Sequence, residues 1–224
     1  MRFASKALLL LLFAVDFAIL PTDTGSENAP DCTKQGVGKL QLSFEDTTIL
    51  GLTIGSVSLK DVGANLGQAQ LLPGDGSVTA SRTICFVSPA DGTVLTFAAG
   101  PLGGFVDLTE FSIWSREAKF PNVSACNPSK LVSRGLSTTS GIRLGLSANQ
   151  MNDIIGKRGT NQRAAIHYEM ACRRKMTRDE VERFKRANNS VAPEYPYFDV
   201  TSSVDVHFTS AGASRIDIAK VESN

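Results

Sequence analysis

Residues 51–67 read Gly-Leu-Thr-Ile-Gly-Ser-Val-Ser-Leu-Lys-Asp-Val-Gly-Ala-Asn-Leu-Gly, and residues 141–156 read Gly-Ile-Arg-Leu-Gly-Leu-Ser-Ala-Asn-Gln-Met-Asn-Asp-Ile-Ile-Gly. Both open on a five-residue motif, Gly51–Gly55 and Gly141–Gly145, with apolar residues between two glycines. Both then present a serine followed three residues later by a side-chain acceptor: Ser58 with Asp61, and Ser147 with Gln150. That spacing satisfies otherwise unpaired backbone N–H groups at the start of a helix. Leu59, Val62 and Leu66 form one apolar stripe, and Met151, Ile154 and Ile155 the other. Gly67 and Gly156 supply the left-handed residue on which helices commonly end. Two short helices are therefore expected, each behind a glycine-flanked motif.

Strand signals follow both helices. Residues 82–88 and 93–98 flank the turn Asp91-Gly92, and 107–114 completes a set in which Phe111 and Ile113 share a face. After the second helix come 165–172, then 203–208 with Val204, Val206 and Phe208 in alternation, then 215–221 with Ile216 and Ile218 on one face. Alternation of period two implies sheets with one buried and one wet face. An extra strand is expected over 39–44, from Leu40, Leu42 and Phe44. The order helix, strand, strand, strand occurs twice. The expected fold class is thus α+β, built of two repeated units, each a short helix followed by an antiparallel sheet of three to four strands. Residues 39–118 would form the first unit, 119–138 a linker, and 139–224 the second, with a basic helical insertion over 173–189.

Composition sets the limits. The chain has 224 residues, 23 Lys+Arg against 22 Asp+Glu, and 42% hydrophobic residues. This excludes disordered, collagenous and multi-span membrane classes. Near-neutral charge argues against binding nucleic acid by neutralising many phosphates. Arg2 and Lys6 ahead of the apolar residues 7–13 and 17–20 read as an export signal, assigned to 1–22, with a flexible segment over 23–38. The bland alternative is an N-terminal membrane anchor.

Secretion, or delivery to the periplasm, makes Cys32, Cys85, Cys126 and Cys172 disulfide formers. Four cysteines allow three pairings. Each unit would be stapled internally by Cys32–Cys85 and Cys126–Cys172; Cys85–Cys126 is the rival. With two His and no Cys-x-x-Cys, neither a metal nor a cofactor is expected. Asn122 and Asn188 head glycosylation sequons, usable only in a eukaryotic host.

At the glycine-flanked motifs and their helices the chain resembles the fold shared by the β-lactamase inhibitor protein and the small outer-membrane assembly lipoproteins. The resemblance covers roughly residues 40–224. It implies a tandem, partner-binding module. The lipidated cysteine of the assembly proteins is lacking, and no inhibitor contact residue has a matching position here.

Candidate functional residues are of three kinds. Residues 172–189 carry Arg173, Arg174, Lys175, Arg178, Arg183, Lys185 and Arg186 against Asp179, Glu180 and Glu182. Thr177 and Glu180 form a capping box, and Val181 and Phe184 a narrow apolar stripe, followed by Tyr195 and Tyr197. This reads as a basic helix for an acidic protein surface or anionic headgroups, or as a solvated face that only tucks its stripe onto the core. Trp114, the single Trp, is either a partner anchor or a cover for the sheet edge. His167 and Glu169 share a strand face with no nucleophile motif beside them, so no catalytic residue is assigned. The expected function is that of an exported, non-catalytic protein-binding module, inhibitor-like or adapter, using a sheet surface and the basic helix. The alternatives are a cell-envelope structural or assembly factor touching an anionic membrane or the wall, and, further off, a hydrolase.

Overall fold

A computed structural model describes residues 29–33, 39–72, 81–100, 107–162 and 165–223. The export-signal reading and most of the 23–38 segment fall outside them.

Both helices form where the capping signals place them. Helix α1 spans Leu59–Leu66 and α2 spans Ala148–Ile155. Ser58 accepts from the Asp61 N–H while Asp61 accepts back from Ser58, and Ser147 and Gln150 do the same. Gly156 ends α2 with a left-handed φ of 76°. The glycine-flanked motifs act as brackets. Gly55 donates to the Leu108 carbonyl and Leu108 to that of Val57; Gly145 donates to Ala213 and Ala213 to Leu146. Gly212 sits so close to the second motif that a Cβ there would collide with the Gly145 carbonyl.

Ten strands are present among the described residues. Two short ones, β1 (Thr48–Ile49) and β2 (Leu52–Thr53), pair with each other. The rest are β3 (Arg82–Val87), β4 (Val94–Ala99), β5 (Glu110–Trp114), β6 (Asn127–Pro128), β7 (Thr160–Gln162), β8 (Ala165–Lys175), β9 (Tyr197–Thr209) and β10 (Gly212–Ser223). They form one sheet in the order β6-β3-β4-β5-β10-β9-β8-β7, antiparallel except for β3 with β6.

This overturns the expected fold class. The strands do not close two separate helix-plus-sheet units. Strand β5 pairs with β10, Phe111 opposite Ile218 and Ile113 opposite Ile216, so one mixed sheet runs through the chain and strands make up ~39% of it. The physical reason lies in the edges. A three-stranded meander leaves rows of unpaired N–H and C=O groups, and joining β5 to β10 satisfies one row on each side while pooling two thin cores. The expected strand at 39–44 is also absent. Asp46 is buried and accepts from the Ser43 N–H and hydroxyl and from Lys39 Nζ, which turns the chain there; Leu42 is buried and Phe44 exposed.

One face of the sheet carries the core. Phe86, Leu95, Phe97, Phe111, Ile113, Ile216, Val204 and Tyr168 are all fully buried on it, under Val62 of α1 and Met151 and Ile155 of α2. Burying Phe97 and Phe111, whose ring centroids lie 6.3 Å apart, contributes about 2–3 kcal/mol each. Tyr168 donates to Asn152 Oδ1 at 2.9 Å, and burial pushes its phenol up to about 12.

The cysteines pair as Cys85–Cys126 and Cys32–Cys172, which corrects the one-staple-per-unit expectation; the rival pairing Cys85–Cys126 is the one formed. In the chain-entropy picture, loops of 41 and 140 residues contribute about 4 and about 5 kcal/mol. The long one pins residues 30–32 along the outer edge of β8, where Arg173 donates to the Pro30 carbonyl and Cys32 to that of Arg173. Two disulfides are the mark of an oxidising setting, extracellular or periplasmic. Among the described residues no helix is long and apolar enough to cross a membrane.

Candidate functional site

The second face of the sheet is polar. Alternation along four neighbouring strands turns toward it Glu110, Ser112 and Trp114 of β5, Arg215, Asp217 and Ala219 of β10, Ser203, Asp205 and His207 of β9, and Ala165, His167 and Glu169 of β8. The register arranges these as three cross-strand rows. Trp114, Arg215, His207 and Ala165 make the first, and Ser112, Asp217, Asp205 and His167 the second. Glu110, Ala219, Ser203 and Glu169 make the third.

The second row sets Asp217 directly opposite Asp205, and like charges so placed oppose pairing. Arg215 and, when it is protonated, His167 offset them. Arg215 Nε lies 2.7 Å from Asp217 Oδ2, and His167 Nδ1 donates to Asp205 Oδ1 at 2.7 Å. The other ring nitrogen of His167 is 3.5 Å from Glu169 Oε2. Burial opposes charge on His167, yet the two carboxylates outweigh it and raise its pKa. Glu110 is also raised, first by burial and then by Asp217.

Trp114 is half-buried. Its ring meets Phe120 edge-on with centroids 5.2 Å apart, and the Arg215 guanidinium stacks on it at 3.8 Å. It belongs to a small cluster with Cys85, Val94 and Cys126 on this face. Trp114 thus covers the disulfide while its stacked arginine faces the polar rows. The sequence pointed to the tryptophan but missed Arg215 and Asp205; the alternation already legible in β9 and β10 placed them on this face, though not beside one another.

The basic segment is divided by the fold. Arg173, Arg174 and Lys175 lie on β8, and the helix α3 spans Arg178–Ala187, so the insertion is helical only from 178. Arg173 pairs with Asp199 at 2.9 Å. Arg174 makes a fork to Glu180 at 3.0 and 2.8 Å, bonds Glu222, and stacks on Phe198 at 4.6 Å. That arginine holds the Glu180 carboxyl down at about 2, helped by the Thr177 N–H and hydroxyl at the helix cap. Lys185 pairs with Glu182. Arg183 lines a groove of about 630 Å³ between α3, the sheet and the first glycine motif, with Ile54, Leu108, Phe184 and Phe198. Two of the four surplus charges are therefore offset from outside the segment, by Asp199 and Glu222. No residue of α3 is fully buried. Beyond it Val191 and Tyr195 are 63% and 66% exposed, and Tyr197, opposite Lys175, is 41% exposed. The structure does not bring Trp114 together with Tyr195 and Tyr197; they mark separate surfaces.

Among the described residues no cluster of three or more His, Cys, Asp or Glu could hold a metal ion. Among the described residues no hydroxyl or thiol is hydrogen-bonded to the His167 ring. Scans against family models, curated proteins and solved structures each found no match.

Proposed function

We propose that this chain is an exported, non-catalytic protein-binding module that meets its partner through the polar sheet face centred on Arg215, Asp205 and His167. The observation that carries the reading is the asymmetry of the sheet. All three helices lie on the core side, while the opposite side keeps an ordered, partly solvated array of charged and aromatic groups. Trp and Arg side chains held rigidly are the kind that dominate binding energy at interfaces. A strand-borne array is already fixed in position, so little ordering cost remains when a partner arrives. The basic segment plays a lesser part than its charge count suggests, because Arg173 and Arg174 of β8 are committed to Asp199, Glu180 and Glu222.

The test is site-specific crosslinking. A photoreactive residue is placed at Ser203, in the middle of the polar face, or at Arg186 on α3, and the disulfide-bonded protein is incubated with the native secretion or envelope fraction. A defined protein adduct from position 203, with little from 186, is the expected outcome. Adducts from 186 alone would move the interface to α3.

A second reading, a cell-envelope factor resting on an anionic membrane or wall, is favoured by the exposure of Val191, Tyr195 and Tyr197, the last directly opposite Lys175. Co-sedimentation with anionic vesicles that fades with added salt would support it, since screening weakens exposed charges.

A further inference from the structure

We infer that His167 is a proton-operated charge switch for the polar sheet face, setting how many of its carboxylates a partner meets uncompensated. The inference rests on the binding reading above and adds a regulator to that same face.

The geometry is that of a clasp. His167 on β8 stands directly across from Asp205 on β9, with Nδ1 donating to Oδ1 at 2.7 Å, and its other ring nitrogen faces Glu169 on its own strand at 3.5 Å. Its side chain is 17% exposed, so protons reach it while water screens it poorly. From β9 the other titratable neighbour is His207. From β10 come Asp217 and Arg215, already paired with each other, and from β5 Glu110. Strand β7 offers only the hydroxyl of Thr160 and the amides of Asn161 and Gln162; Thr160 bonds the His167 carbonyl rather than the ring. Lys157 reaches the Glu169 carbonyl rather than its carboxylate. One imidazolium therefore serves two carboxylates that have no other hydrogen-bonded cation among the described residues. When it releases its proton, Asp205 and Glu169 stand unneutralised next to the Asp217–Arg215 pair, and the face becomes more negative by one charge.

The linkage has a definite sign. Because the carboxylates favour the imidazolium, the folded chain holds the proton more tightly than the unfolded chain. The resulting stabilisation is complete below the ordinary histidine value of about 6.5 and disappears as pH rises through the higher folded value.

The experiment uses the disulfide-intact chain, NMR detection and pentalysine as a cationic probe at low salt. His167 is expected to titrate above about 6.5. Pentalysine is expected to shift signals of residues 165–169 and 203–207, and to bind about two- to five-fold more tightly at pH 8 than at pH 5.5, the scale of one partly exposed charge. Because His207 is a second imidazole on this face, binding is compared in a His207→Gln background: there the pH dependence should persist, and adding His167→Gln, which keeps a donor for Asp205 and never charges, should leave binding equal at both pH values. In thermal unfolding the parent should exceed His167→Gln at pH 5.5 and lose that margin by pH 8. A His167 pKa at or below the ordinary value, a pH dependence that survives in the protein lacking both His167 and His207, or a probe that never maps to this face overturns the switch. The last two results leave the crosslinking at position 203 untouched, so the switch can fail while the binding face stands.

Discussion

The two faces of the sheet use the same strands for opposite purposes. On the core side, Phe97, Phe111, Ile216 and Val204 are shut off from water and pack under α1 and α2. One residue along on each strand, Thr96, Ser112, Asp217 and Asp205 form a row of hydroxyls and carboxylates. The first face is held by removal of apolar surface from water, which is large and tolerant of exact geometry. The second is held by specific pairs, Arg215 with Asp217 and His167 with Asp205, which are individually small. Stability is therefore concentrated on one side and chemistry on the other. A partner can engage the polar side without disturbing what keeps the sheet folded.

The largest effect expected from this contrast is at Phe97, fully buried on the central strand β4. Phe97→Ala should cost about 3–5 kcal/mol in denaturant unfolding, through lost burial and the cavity left behind. Next comes the Cys32–Cys172 bond. The double change Cys32→Ser and Cys172→Ser should cost about 2–5 kcal/mol in the same assay, with the loop-closure figure as its ceiling, and raise hydrogen exchange at residues 30–32 and 173. Arg174→Met should cost about 1–2 kcal/mol at neutral pH, because Glu180 and Glu222 lose their shared partner. Its pH profile carries a sign. Glu180 is depressed to about 2, so its pairing stabilises the fold fully above the ordinary carboxylate range and is lost as pH falls toward 2. Arg174→Met should flatten acid unfolding between about pH 5 and 2. Smallest of all, Asp205→Asn should change stability by less than about 0.5 kcal/mol while reducing adduct formation from position 203. An Asp205→Asn as destabilising as Phe97→Ala would erase the distinction between the faces.

Much of the local structure was legible in the sequence. The Ser58–Asp61 and Ser147–Gln150 spacings specify helix starts through short-range hydrogen bonds, and the alternation of Val204, Val206 and Phe208 specifies a strand with one buried side. Which strand edges meet is a different kind of information. Pairing of β5 with β10 depends on residues about 100 positions apart, and nothing local in Phe111 or Ile218 states it. The same gap hid the clasp. His167 and Glu169 were visible as neighbours on one face, but Asp205 joins them only through the β8–β9 register. Part of the charge balance of 173–186 was hidden for a related reason: Asp199 and Glu222, which pair with Arg173 and Arg174, arrive from β9 and β10. At 39–44 the alternation of Leu40, Leu42 and Phe44 lost to the turn built by Asp46, a side-chain-to-backbone competition that periodicity does not register.

The nesting of the two cystine links constrains how the chain matures. Cys85–Cys126 lies wholly within the span closed by Cys32–Cys172. During synthesis the thiols emerge in numerical order, so an oxidant acting on the growing polypeptide meets residues 32 and 85 before either native mate of Cys32 or Cys85 has appeared. The first bond that such an oxidant forms is a wrong one, and thiolate exchange must undo it before the edge of β8 receives its strap. An oxidant that acts only once residues 126 and 172 have emerged meets both native mates, so the timing of oxidation decides whether this chain needs shuffling.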